Sequence, residues 1–148
     1  MERGNIKIEI LQYNNLNGGD NIGIAEQLFF AQQAGIRLKQ VRVTLNNGSI
    51  TTEAGAMHFM RGRIEMDNQA GGFGGLAKKM ASSVLTKETA FKPKYTGTGE
   101  LYLEPNFGHY IMVELNNEEM TVDKGLFYCC ESSVDVGVAT QKTSPPPP

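Results

Sequence analysis

The chain has 148 residues, of which 40% are apolar and 20% are charged, proportions that are ordinary for a globular protein. This length fits one domain, large enough to bury a core without disulfides or structural metal ions. The formal net charge is −2, with acidic and basic residues interleaved along the chain. Nucleic-acid-binding domains usually carry a strong basic excess, so the composition argues against DNA binding and disfavours RNA binding.

The first part of the chain predicts one strand and one element that fits either secondary structure. Isoleucines alternate with charged residues over 6–10, the pattern of a half-buried strand. Residues 22–34 fit a short helix capped by Asp20 or Asn21 and ended by Gly35. The phenylalanine pair inside this stretch also suits a strand, so both interpretations stay open.

The clearest strand pattern is the apolar alternation over 41–45, which stops at an Asn-Gly pair. Asn47 and Gly48 both tolerate positive φ and form the favoured type I′ hairpin turn. The sequence therefore predicts a hairpin whose second strand returns antiparallel over 49–53.

The rest of the chain predicts a mainly β domain over 1–142, a small β-sandwich or barrel with one or two short helices, the second over 76–80. Residues 57–66 predict a strand, in which Gly62 marks a bulge or a tight turn. Further strands are predicted at 88–94, 100–104, 109–115, 120–122 and 126–138, with glycine-, asparagine- and proline-rich turns between them that include 96–99. The proline run in 143–148 has no amide donors, so it predicts a disordered tail.

Candidate catalytic groups are few. His58 and His109 have no partner at metal-ligand spacing, so no metal and no cofactor are predicted. Cys129 and His109 could pair as a nucleophile and its base, but the apolar run around Cys129 and Cys130 favours packing as small hydrophobes. No nucleophile-elbow or phosphate-loop motif occurs, and the sequence predicts no enzyme.

The same two cysteines bear on location. Because Cys129 and Cys130 are adjacent, a bridge between them needs strained geometry, and reduced thiols are expected. The first thirty residues lack a signal-peptide pattern, and no apolar run reaches about 18 residues. These features predict a soluble, cytoplasmic protein.

One glycine-rich segment before a predicted helix is a candidate anion-binding loop. Its amides and two lysines resemble a phosphate cradle, although the dinucleotide-binding spacing is missing and a flexible or close-packed surface loop is the favoured interpretation. The candidate residues are Gly71, Gly72, Gly74, Gly75, Lys78 and Lys79.

Residues 53–66, Glu-Ala-Gly-Ala-Met-His-Phe-Met-Arg-Gly-Arg-Ile-Glu-Met, resemble the signature of the "altered inheritance of mitochondria" family. The resemblance covers about residues 36–139 and continues in order through 71–75, 87–91, 97–105, 108–109, 115–119 and 123–127.

The resemblance implies a short double-stranded β-helix, similar to the fold of the tryptophan RNA-binding attenuation protein, whose relatives assemble into rings or trimers. Eukaryotic members are linked to organisation of the mitochondrial inner membrane, so peripheral membrane association is implied by resemblance alone. Relatives usually continue past the position of Ala139 with further strands, so this chain is expected to lack the usual C-terminal part.

The function expected from residues and resemblance together is that of a non-enzymatic structural or scaffolding protein. We expect a homo-oligomer because the last strands leave a sheet edge to be covered, and the resemblance implies that a trimer is favoured. The alternative is a small-ligand or RNA-binding module on the same fold.

Overall fold

One antiparallel sheet organises the chain. A computed structural model describes residues 1–16, 21–67, 92–123, 125–137 and 139. Its six strands are β1 (Glu2–Arg3), β2 (Ile6–Tyr13), β3 (Leu38–Thr52), β4 (Met57–Asp67), β5 (Lys94–Leu103) and β6 (Cys129–Glu131), and the one described helix is α1 (Ile22–Gln33). The strands lie side by side in the order β1-β2-β3-β5-β4, with β6 paired to the end of β3.

This architecture confirms the prediction of a mainly β domain with one or two short helices. The described strands form an open sheet, so the finer expectation of a double-stranded β-helix stays a prediction.

The core lies on one face of the sheet, where apolar side chains of β2, β3 and β5 meet. Ile6 lies opposite Leu45, and Val43 lies opposite Leu101. Alternate residues of a strand point to the same face, so the period-2 pattern of the sequence becomes one buried layer. That layer consists of Ile6, Val41, Val43, Leu45, Ile50, Tyr95, Leu101 and Leu103.

The hairpin predicted at Asn47–Gly48 is wrong, because β3 runs straight through this pair. Asn47 does adopt a positive φ of 53°, but it lies in a β-bulge and not in a turn. The pairing register against β5 shifts there, between Asn46 and Gly48. Leu45 and Ile50 are both buried although they are an odd number of residues apart. The bulge therefore shifts the alternation of buried and exposed side chains by one residue. In the sequence, this break in the alternation resembled the end of a strand.

The turn predicted over 96–99 is also wrong, because these residues lie in the middle of β5. Gly97 and Gly99 have φ values of +145° and +156°. A Cβ on Gly97 would lie 2.1 Å from the carbonyl oxygen of Arg63, and one on Gly99 would lie 2.2 Å from that of Arg61. These glycines allow the backbones of β4 and β5 to approach closely, and they do not mark a chain reversal.

The strand predicted over 57–66 is confirmed as β4, but its irregularity was placed wrongly. Gly62 pairs with Gly99 without a break, and the register shift instead falls between Met57 and Phe59. His58 is thus the bulged residue. At Gly62 a side chain is excluded by the backbone of β5, since a Cβ would lie 2.6 Å from the oxygen of Thr98.

The helical interpretation of 22–34 is the correct one. The Asn21 side chain caps α1 by accepting a hydrogen bond from the amide of Ile24 at 3.2 Å, and Gly35 follows the helix with a φ of 73°. No residue of α1 is buried. The helix thus forms from local signals and does not contribute to the core.

Two strands predicted in the last third are not formed. Residues 109–115 and 120–122 carry no strand, and within 126–138 only Cys129–Glu131 pairs, with the end of β3. Strand-like sequence thus lacks a ladder partner in the described chain. The predicted helix 76–80, most of the strand predicted over 88–94 and the proline tail lie outside the described residues.

Candidate interaction surface at the outer strand

β4 is the outer strand of the sheet. Among the described residues it pairs only with β5, along Met57–Leu103 to Asp67–Lys94. In the described part of the chain, its other edge therefore has no backbone partner over eleven residues. Proteins blunt such an edge with charged side chains, bulges or proline, keep it short, or cover it with another element. β4 carries charged residues and a bulge at His58, but it is long and contains no proline, which makes it a candidate surface for pairing.

A network of charged and aromatic side chains crosses the sheet on the face opposite the core. Arg61 Nε donates to Glu100 Oε2 at 2.7 Å, and the Tyr102 hydroxyl donates to the same oxygen at 3.0 Å. The ring of Phe59 stacks on Tyr102 with centroids 4.4 Å apart. We call this surface, together with Arg42 and Glu9, the charged face.

The charged face is held in its ionised form. Hydrogen bonds from Arg61 and then Tyr102 lower the pKa of Glu100 below its ordinary value. Lys7 and Arg42 likewise lower the pKa of Glu9. A general acid or base needs a pKa near the working pH, and these carboxylates are shifted away from it. The network is therefore suited to recognition or to strand alignment rather than to proton transfer.

An open groove of about 510 Å³ runs along the charged face. Its polar lining is contributed by three strands: Thr44 and Asn46 from β3, Thr98 and Glu100 from β5, and Arg61 from β4. Hydroxyl, amide, carboxylate and guanidinium groups converge there, a combination that can fix a small polar ligand.

The core-side face of the outer strand is apolar and only partly covered. Met60 is 40% exposed and Met66 is 46% exposed, whereas Leu101, opposite Met60 on β5, is fully buried. The core therefore thins at β4, where Met57 and Ile64 pack against it but are only partly buried. Exposed apolar surface beside an unpaired edge is typical of protein contact sites.

A second apolar surface lies on the segment that was predicted to form strands. Residues 111–123, which we call the acidic arm, run on either side of a turn at Asn117, whose φ is 56°. Ile111 is 86% exposed and Met120 is 55% exposed. Four acidic and no basic residues occur in the arm. The acidic arm thus has a strand-forming sequence, apolar side chains and negative charge, but it pairs with no strand in the described part of the chain.

His58 has a structural environment. The Gln40 amide nitrogen donates to the carbonyl of Leu103 at 2.9 Å and lies 3.3 Å from His58 Nδ1, while its oxygen accepts from the Tyr13 hydroxyl at 2.7 Å. Because a carbonyl only accepts, the amide orientation is fixed, and Nδ1 must accept from it. The proton of neutral His58 therefore lies on Nε2.

The two thiols are poor nucleophiles. Burial raises the pKa of Cys129 to about 12, with a smaller contribution from Cys130, and burial raises that of Cys130 to about 11. Since the thiolate is the reactive form, both remain protonated at neutral pH. No hydrogen bond joins His109 to Cys129 in the described part of the chain. The proposed nucleophile–base pair is not brought together.

Other candidate sites receive no support or lie outside the described ranges. The anion-loop candidates at 71–79 fall within residues that the structure does not describe. Among the residues it does describe, no three His, Cys, Asp or Glu side chains are grouped as metal ligands. In that same part of the chain, no helix is long and apolar enough to cross a membrane.

The sequence did not reveal the charged face, because its members come from four strands. Alternation within 57–66 does place Phe59, Arg61 and Arg63 on one side of a strand. The partners Glu100 and Tyr102 become identifiable only when the β4–β5 register is known. The strand that supplies these partners lies within residues 97–105. The interpretation of 96–99 as a turn prevented its pairing with 57–66 from being predicted.

The fold and this surface define a mainly β domain with an open antiparallel sheet, whose outer strand is not covered by any of the described residues. The family model for mitochondrial biogenesis AIM24 matches residues 9–145, so the chain belongs to that family. No curated protein and no solved structure matched the chain.

Proposed function

We propose that this chain is a non-enzymatic structural or scaffolding protein that acts in the cytoplasm as a homo-oligomer, with a trimer favoured. The observation that carries the proposal is the outer strand, which combines an edge without a partner among the described residues with the exposed side chains of Met60 and Met66. A second copy is the partner always present at the protein's own concentration. Soluble homo-oligomers usually close by point-group symmetry, which a ring of three satisfies.

Covering this edge is energetically favourable. Full burial of a methionine side chain contributes about 1.5–3 kcal/mol, and half-exposed side chains leave part of that unrealised. Each backbone hydrogen bond added along the edge contributes about 0.5–1.5 kcal/mol net. A micromolar dissociation constant corresponds to about 8 kcal/mol net, on top of the cost of immobilising the copies. These terms therefore supply part of the association energy, and the other contacts of the interface supply the rest.

The chemistry of the described side chains supports a role without catalysis. Glu100 and Glu9 are paired and ionised, with their pKa values lowered. Cys129 and Cys130 stay protonated near neutral pH, as their raised pKa values require. These groups are stabilised in their resting states rather than poised to react. Unbridged thiols also suit a reducing compartment.

Native mass spectrometry of the purified chain tests the proposal, since it reports stoichiometry and any bound small molecule together. We expect an oligomer, with the trimer dominant, whose mass is a multiple of the 16.2 kDa of one chain. A spectrum containing monomer alone would contradict the proposal.

The second candidate is a small-ligand-binding module, supported by the groove on the charged face. RNA is the weaker ligand, because Arg42 and Arg61 are already paired with carboxylates and phosphate neutralisation supplies most nonspecific affinity. In the same spectrum, a monomer carrying a co-purified small molecule would favour this candidate. Loss of that molecule in Arg61→Ala, with retention in Arg37→Ala, would assign it to the groove.

A further inference from the structure

The two surfaces without partners lie at opposite edges of the sheet. The acidic arm is tied to the β1 edge, where Arg3 Nη2 lies 3.2 Å from Glu114 Oε1. The outer strand β4 forms the other end of the order β1-β2-β3-β5-β4. A single copy thus cannot bring its own arm to its own outer strand without leaving this arrangement.

From this placement we infer that the acidic arm of one copy pairs with the outer strand of the next copy. The inference rests on the proposed homo-oligomer and names its interface. Two different surfaces that bind each other form a head-to-tail contact, and such contacts close into rings when the rotation between copies allows it. The occupant of the β4 edge is therefore a second copy of this chain, and the arm is the part that it contributes.

The dimensions of the two surfaces agree. A strand rises about 3.3 Å per residue, so the limb of the arm over 117–123 reaches about 23 Å. The eleven residues of β4 extend about 36 Å on the same scale. One limb therefore fits along the outer strand with room to spare, and its strand-forming residues gain the ladder partner that they lack in the single chain.

Charge selects where the arm lies along β4. Arg63 is exposed and forms no ion pair within the described residues, whereas Arg61 is occupied by Glu100. Glu118 and Glu119 lie beside the turn of the arm and are exposed. Glu65 and Asp67 follow Arg63 toward the end of β4 and repel the arm there. The tip of the arm should therefore lie near Arg63.

The apolar side chains complete the match. Met60 and Met66 are exposed on the core-side face of β4, and Met120 and Val122 are exposed on the arm. Alternate residues of a strand share a face, so antiparallel pairing with Glu119 opposite Arg63 places Met120 opposite Gly62 and Val122 opposite Met60 on the core-side face. This pairing extends the core across the outer strand.

A charge-reversal series tests the interface. Arg63→Glu places like charges against the arm, and we expect the concentration for half-dissociation to rise about tenfold or more, since like-charge contacts oppose association. Arg37→Glu, at a surface position between α1 and β3, is the matched control and should leave assembly unchanged. Combining Arg63→Glu with Glu119→Arg should restore association to near the parent level. Far-ultraviolet circular dichroism checks that each variant keeps the sheet.

The outcomes separate this inference from the function on which it rests. A monomeric parent protein would refute the homo-oligomer itself. An oligomeric parent whose assembly is unaffected by Arg63→Glu would overturn the assignment of the interface while leaving the oligomer intact. Failure of the double reversal, Arg63→Glu with Glu119→Arg, to rescue assembly in a folded variant would overturn the arm as the occupant of β4.

Discussion

Replacement of Gly97 by alanine should disrupt the junction between the outer strand and the rest of the sheet. Gly97 has a φ of +145°, where an alanine is strained by about 1–3 kcal/mol. The new Cβ would also lie 2.1 Å from the Arg63 carbonyl oxygen, and relieving such overpacking costs about 1–3 kcal/mol more. The expected loss of unfolding free energy is thus about 2–6 kcal/mol, a large share of the stability of a typical domain.

Urea denaturation followed by circular dichroism measures this loss. With a denaturant slope of about 2 kcal/mol/M, the midpoint should fall by about 1–3 M. Gly137→Ala is the control, because a Cβ there meets nothing within 4 Å, and its midpoint should stay at the parent value. If Gly97→Ala unfolds at the same urea concentration as the parent, the close approach of β4 and β5 is wrong.

Three further predictions follow from burial and pKa. Leu101→Ala, at a fully buried position, should cost about 2–5 kcal/mol of unfolding free energy, whereas Leu126→Ala, at a side chain 71% exposed, should cost little; equal losses would contradict the placement of the core. The pKa of Glu100 is lowered by its bonded partners, so its stabilisation is present above the ordinary value of 4.5 and lost as pH falls through the lowered pKa. The melting temperatures of parent and Glu100→Gln should therefore differ at pH 7 and converge in acid, and a constant difference would refute this origin. With pKa values raised to about 12 and about 11, Cys129 and Cys130 should react slowly with a disulfide reagent at pH 7 and rapidly once urea unfolds the chain; fast reaction in the native protein would contradict their burial.

Local patterns predicted the elements whose signals lie within a few residues. The alternation over 6–10 and 57–66 became β2 and β4, and the cap at Asn21 with Gly35 produced α1. The failures at Asn47–Gly48 and Gly97 share one cause. Positive φ and missing side chains serve turns, bulges and close strand contacts equally, and only the neighbouring strand decides between them.

The sequence predicted that a sheet edge would need a partner, but it did not predict which strand forms that edge. A sheet edge needing a partner was expected at the last strands, yet the strand that lies uncovered in the described chain is β4. Residues 109–115 and 120–122 were predicted to be strands because short strand-like segments recur there between turn signals. They have no ladder partner in the described part of the chain, as is expected if that partner belongs to another copy.

Light scattering on the purified protein, diluted stepwise to the low micromolar range, determines whether this chain works as a homo-oligomer. We expect a mass three times the 16.2 kDa of one chain, which falls only on strong dilution. A mass of one chain at every concentration would refute the homo-oligomer, because the outer strand would then be stable uncovered.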